Sequence, residues 1–184
     1  MINSRKQYNK IIDYEFKVYF SSLKDYFKNM LLNSSDYSIW KFQKLLRKTE
    51  LFYNLSRKKN KYYPLYILIR RKKEKIGHRL GLSIEINVFQ EGLRIFHYGE
   101  IVVNGYCEIG KNCKLHGGNC IGNNGKTHHA PRIGDNCDVG FGSVIIGDIT
   151  LGDNITIGAN SLVNKSFNNN IVIAGSPAKV IKYD

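Results

Sequence analysis

Two kinds of hydrophobic pattern divide the chain. Between Tyr8 and Leu32 the apolar residues Ile12, Phe16, Phe20, Leu23, Phe27 and Met30 recur three or four residues apart, the spacing of one helical face. This predicts a single helix over the segment. The polar stretch "NSSDYS" then offers Asp36 or Ser38 as the N-cap of a second helix, whose pattern runs through Ile39, Trp40, Phe42, Leu46 and Tyr53. "RKKNKYYP" interrupts, and Pro64 opens a third helical segment, "LYILIRRKKEKIGHRLGL".

From Val103 the period becomes six. Val103, Ile109, Leu115, Ile121, Thr127, Ile133, Val139, Ile145, Leu151, Ile157 and Val163 are aliphatic at every position but Thr127. Glycine often follows, and the fourth residue after each is often small or apolar, as at Cys107, Cys113, Cys137, Ser143, Ile149, Ile155 and Ser161. So short a period predicts a solenoid. Each hexad supplies a strand and a turn, with the aliphatic pointing into the coil and Gly, Asn or Asp taking the positive φ of the corners. Three hexads close one triangular coil. The expected architecture is mainly β with α: a basic helical region over 1–80, a left-handed parallel β-helix over 81–166 and a C-terminal tail over 167–184, with Pro177 directing the exit. Extrapolated backward, the register falls on His97.

Composition changes this picture little. At 184 residues with 42% hydrophobic content, the chain has enough apolar material for a core. The N-terminal sequence does not read as a signal peptide, and the longest apolar run, Leu65 to Ile69, is far short of the roughly 20 residues that span a bilayer, so a cytoplasmic location is expected. Cys107, Cys113, Cys120 and Cys137 form no CxxC pair, which points to reduced thiols rather than a zinc site. Three of them occupy the small interior position and read as packed thiols, whereas Cys120 is off it and reads as exposed.

Charge changes it more. The net charge is +13, yet residues 1–80 hold 20 Lys/Arg against 6 Asp/Glu while residues 81–184 hold 8 against 9. Five basic residues fall between Arg70 and Lys75. They read either as a solvated helix face or as a contact for an anionic membrane or an acidic glycan, which would set the protein peripherally at the inner face of the membrane. Nucleic acid is not expected, for want of a recognition module or an aromatic platform on a sheet.

"FHYGEIVVNG", "IGKNCKLHGGNCIGNNGK", "APRIGDN", the hexads and "IAGSPAKVI" resemble the hexapeptide-repeat acyltransferases, most closely the serine acetyltransferase-like branch that includes enzymes of capsular polysaccharide clusters. The resemblance implies an acetyl-CoA-dependent O-acetyltransferase acting as a homotrimer, with the cosubstrate between coils of neighbouring subunits and no metal. It also implies a histidine general base, which His97 matches by its place before Gly99 and "IVVN". An imidazole suits that task because an alcohol needs a base titrating near neutrality, and main-chain N–H groups of the coil are expected to steady the oxyanion. The alternative for His97 is a structural residue at the edge of the first coil.

His116 lies 19 residues on, about one 4.8 Å strand spacing from His97 in an 18-residue coil, where it could tune the base or serve structure alone. The hexad at Thr127 lacks an aliphatic and predicts a protruding loop carrying His128 and His129. With Phe96 and His116 these are the acceptor-site candidates. Serine acetyltransferases carry Arg-His before the proline matching Pro131, where this chain has His129 and Ala130, and an aspartate where it has Phe96. These departures point from serine toward a larger hydroxyl acceptor, such as a sugar of a capsular or surface polysaccharide or its precursor. Serine O-acetyl transfer is the alternative, and a non-catalytic scaffold a remoter one. A zinc hydratase on the same solenoid would need three converging histidines, a spacing that His116, His128 and His129 do not offer. For acetyl-CoA the resemblance carries over to Gly122, Asn123 and Lys126 in a Gly-rich turn, to Gly142 and Ala159 where the pantetheine arm passes, and to Lys179 for a phosphate.

Overall fold

A computed structural model describes residues 1–183, which form a helical unit up to Leu80 and a solenoid unit from Gly81 onward. The helical unit holds α1 (Arg5–Tyr19), α2 (Leu23–Leu31), α3 (Ser35–Lys58) and α4 (Tyr63–Leu80). The single helix expected over Tyr8–Leu32 is therefore two. Phe20 is extended, Ser22 Oγ accepts from the Asp25 N–H, and Asp25 Oδ2 accepts from the Ser21 N–H. This local capping stops α1 and restarts α2 while the three-to-four apolar spacing continues across the break. The cap of α3 is Ser34, whose Oγ accepts from the Tyr37 N–H, rather than Asp36 or Ser38. Pro64 lies in the first turn of α4, where its missing N–H leaves no helical bond unmade.

The interior of this unit is built on Phe20, Ile39, Trp40, Phe42 and Leu46, all nearly solvent-free. It also buries a charge cluster. Arg47 Nη2 meets Glu15 Oε1 at 2.7 Å and Arg47 Nη1 meets Glu50 Oε2 at 3.1 Å. Burial opposes the guanidinium charge, but Glu50 and Glu15 outweigh it and hold Arg47 more firmly protonated than usual.

The solenoid unit contains β1 (Leu82–Ile84), β2 (Arg94–Ile95), β3 (Ile101–Val103), β4 (Glu108–Ile109), β5 (Lys114–Leu115), β6 (Cys120–Gly122), β7 (Arg132–Ile133), β8 (Asp138–Val139), β9 (Val144–Ile146), β10 (Thr150–Leu151), β11 (Ile155–Ile157), β12 (Leu162–Val163), β13 (Ile171–Gly175) and β14 (Ala178–Tyr183). They stack as three faces of a left-handed parallel β-helix, in the orders β1-β3-β6-β9-β12, β10-β7-β4 and β14-β13-β11-β8-β5-β2. The counted aliphatics are the interior, each paired with its counterpart one coil on: Val103 with Ile121, Ile133 with Leu151, Val139 with Ile157.

The coils are not uniform. Ile121 pairs with Ile145, 24 residues on, so the hexad around Thr127 is extruded from the coil as the expected loop. In the first coil Ile95 pairs with Leu115, 20 residues on. Position 95, not 97, is thus the interior site, and His97 stands two residues outside the register extrapolated for it. Of the stretch set apart as a tail over 167–184, the described part is strand-paired: Phe167 bridges to Leu151, and β13 adds to β11 before an antiparallel return through β14.

One corner carries an asparagine ladder. Asn112, Asn136, Asn154 and Asn170 all have φ between 55° and 59°. Their side chains link in series, Asn112 Nδ2 to Asn136 Oδ1 at 3.0 Å, Asn136 Nδ2 to Asn154 Oδ1 at 3.1 Å and Asn154 Nδ2 to Asn170 Oδ1 at 2.8 Å. Asparagine tolerates the left-handed conformation and fills the corner with its own amide bonds.

Candidate active site

His97 sits on the turn between β2 and β3, at residues 96–100, and its side chain is exposed. Gly99 and Glu100 take φ of 109° and 50°, which folds the turn back onto Ile101. By the pairing of Ile95 with Leu115, the residue one coil above His97 is Gly117; the pairing of Leu115 with Val139 then sets Phe141 above Gly117, and that of Val139 with Ile157 sets Ala159 above Phe141. One corner column therefore reads His97, Gly117, Phe141, Ala159.

Glycine lets the column close up, with the Phe141 ring and His97 against the backbone at 117. A Cβ on Gly117 would lie 2.9 Å from Phe141 Cε2 and 3.3 Å from His97 Cβ, and its φ of 123° is one that side-chain-bearing residues rarely adopt. This close approach is held from inside by Asn119, which is fully buried at an interior hexad position. Its Oδ1 accepts from the Gly117 N–H at 3.0 Å and its Nδ2 donates to the Gly140 carbonyl at 2.8 Å. The N–H groups of Gly118 and Gly142 donate to the carbonyls of Gly99 and Gly117. These three glycine N–H groups are thus committed to the scaffold and form a floor rather than an oxyanion pocket.

His116 does not lie over His97, as a uniform 18-residue coil would have it. It stacks on Phe96, with centroids 4.5 Å apart and planes 24° from parallel. Its Nε2 donates to Asp138 Oδ1 at 2.7 Å, and Lys114 Nζ reaches the other carboxylate oxygen at 3.5 Å. The Arg94 guanidinium also lies over the Phe96 ring, 5.0 Å from its centroid. His128 and His129 are exposed on the extruded loop, His128 against the Tyr106 ring at 5.2 Å and His129 Nδ1 3.9 Å from Asp148. Within the loop Asn123 Oδ1 accepts from the Gly125 N–H, and Asn124 Oδ1 accepts from those of Lys126 and Thr127. Ala130 and Pro131 are buried where the chain re-enters the coil.

The residues matched to acetyl-CoA fall in three places. Gly122 ends β6, with Asn123 and the exposed Lys126 following into the loop. Gly142 and Ala159 lie beside and within the His97 column, and Lys179 is exposed on β14. Asn119, Asp138 and Phe141 are missing from the sequence-derived candidates. Only Asn119 left a signal, a polar residue where hexads carry small or apolar ones. Among the described residues, no group of three or more His, Cys, Asp and Glu side chains is arranged to hold a metal ion.

Comparison with known proteins bears on the sequence and the fold. A serine acetyltransferase of Staphylococcus xylosus is 33% identical over 123 residues, spanning 65% of this chain and 56% of that protein. One of Staphylococcus aureus strain Mu50 is 34% identical over 97 residues, spanning 50% and 46%. The chain is similar to serine acetyltransferases in sequence. It spans about half the length of the curated relatives it matches. Its fold is that of soybean serine acetyltransferase, with TM-score 0.77 at 22% identity, covering 95% of this chain and 69% of that one. The Neisseria gonorrhoeae serine acetyltransferase solved in complex with serine gives TM-score 0.72 at 22% identity, covering 97% and 71%. No protein-family model matches the chain.

Proposed function

We propose that the protein transfers the acetyl group of acetyl-CoA to an acceptor hydroxyl, with His97 as general base. The observation that carries this is the corner column, in which an exposed imidazole stands beside Gly117 and the Phe141 ring packs against that glycine. His97 would take the hydroxyl proton as the oxygen attacks the thioester carbonyl. Collapse of the tetrahedral intermediate breaks the C–S bond and forms the ester, and the imidazolium returns its proton to the departing CoA thiolate. No covalent enzyme intermediate is needed.

Serine is the acceptor that the names of the relatives favour. A sugar hydroxyl is the second reading, and the Phe96–His116 stack favours it, because an aromatic pair stands where serine acetyltransferases carry a carboxylate. Ala130 adds to this, since it is buried and brings no imidazole to the acceptor. We assign acetyl-CoA to Gly122, Asn123, Lys126, Gly142 and Ala159, with Lys179 toward a phosphate. Assembly as a homotrimer fits the outward row Val102, Cys120, Val144 and Leu162, an apolar stripe along one face of the solenoid.

The test is an acceptor panel read by mass spectrometry, which avoids a thiol dye that would also label the exposed Cys120. Serine, nucleotide sugars, and neutral and acidic glycans are each incubated with acetyl-CoA and the purified chain. Acetylation of serine supports the first reading and acetylation of a sugar alone supports the second. Absence of any acetylated product, with acetyl-CoA not bound, contradicts both.

A further inference from the structure

We propose that α2 is an interfacial foot that seats the helical unit on an anionic lipid surface. The helix is nine residues long and buries none of them. A helix that short does not persist in water on its own propensity. It is fixed from one side, by the Ser22 cap, by Asp25 bound to Ser21, and by the Tyr26 ring packed among Phe16, Phe20 and Tyr37. The other side is apolar and open. Leu23, Phe27, Met30 and Leu31 are 67%, 55%, 39% and 85% exposed, and Leu32 at the helix end is 67% exposed.

Helical spacing puts the first four on one arc of about 100°, with Lys24 and Lys28 along its edge. An apolar arc bordered by lysines is the profile of a helix that lies in a headgroup boundary. No helix among the described residues is long and apolar enough to cross a membrane, so α2 would lie on the surface. A single short apolar arc holds weakly, and stable seating needs a second signal. Charge supplies it, since the first 80 residues hold 20 Lys/Arg against 6 Asp/Glu. On α4 the exposed Arg71, Lys72, Lys75 and Arg79 share one helical face, whereas Glu74 pairs with Arg70 and Lys73 on another.

Charge also separates the occupants. A second copy docked through this face would bring two strongly cationic units together, which an anionic bilayer reverses into attraction. A hydrated polyanion would meet the charge but leave five large apolar side chains in water.

The test is co-sedimentation of the full chain with vesicles of phosphatidylcholine, alone or mixed with phosphatidylglycerol, at low and high salt. The variants are Phe27→Gln with Leu31→Gln, and Lys24→Gln with Lys28→Gln. All four side chains are exposed, so circular dichroism should be unchanged. Binding is expected only to the phosphatidylglycerol vesicles, reversed by high salt and weakened about tenfold or more by either pair. Undiminished binding of the Phe27/Leu31 variant, or no wild-type binding to anionic vesicles at low salt, overturns the proposal. So does a fall in subunit number of that variant by light scattering with vesicle binding intact, which would assign the face to a second copy.

Discussion

The imidazole of His116 stacks on the ring of Phe96, 4.5 Å between centroids, and is tied to Asp138 at 2.7 Å. This relationship fills the place beside His97 with an aromatic pair. Replacing Phe96 with Asp removes the stack and costs about 1 kcal/mol of stability. It also puts a carboxylate next to the base. The expected outcome is a rise in kcat/KM for serine relative to sugar acceptors, measured by competition between the two. An unchanged ratio would mean that position 96 does not face the acceptor.

Gly117→Ala tests the close packing of the column. The added methyl meets Phe141 at 2.9 Å and His97 Cβ at 3.3 Å on a backbone with φ of 123°. Activity should fall at least about tenfold, consistent with the sensitivity of rate to small misplacements of reacting groups. Adding Phe141→Ala relieves the ring contact but not the backbone strain. The double variant should therefore recover part of the activity, and a double-mutant cycle reads the coupling.

The asparagine ladder makes a stability prediction. Asn136→Ala deletes two side-chain bonds, to Asn112 and Asn154, and places alanine at φ of 58°. The loss should be about 1–3 kcal/mol, seen as a lower Tm with little change in rate per folded molecule.

The cysteines predict both reactivity and alkaline behaviour. Burial pushes the Cys107 and Cys137 thiols up to about 11 and Cys113 well above its usual value, while Cys120 is exposed. One thiol should react with a disulfide reagent in the native protein and four after denaturation. Because the folded state holds these groups neutral, their contribution is complete at neutral pH. It declines once the unfolded thiols ionise, through the window from about 9 to 11. Thermal melts should show that decline, and Cys107→Ala with Cys137→Ala should flatten it.

Much of the solenoid was legible because its period is imposed by geometry: an aliphatic at every sixth position has one way to face inward, and Thr127 marked the extruded loop by breaking the rule. The first coil was less legible. Two extra residues between Ile95 and Leu115 shift His97 out of the interior register and bring Phe96, not His97, over His116. Nothing local in "RIFHYGE" announces the insertion, because the turn that absorbs it depends on φ at Gly99 and Glu100. In the helical unit, apolar spacing ran through Phe20 and Ser21 unbroken, and only the Ser22–Asp25 cap ended α1. Phe141 escaped notice for a similar reason, since its importance lies in the glycine below it one coil away.

The most direct measurement of the central claim is acetyl transfer by His97→Ala compared with wild type, using the acceptor that the wild type acetylates. Loss of about 100- to 10,000-fold in kcat, with acetyl-CoA affinity and subunit number unchanged, is the predicted result for removal of a general base. A variant that retains wild-type kcat would contradict the account and remove His97 from the chemistry.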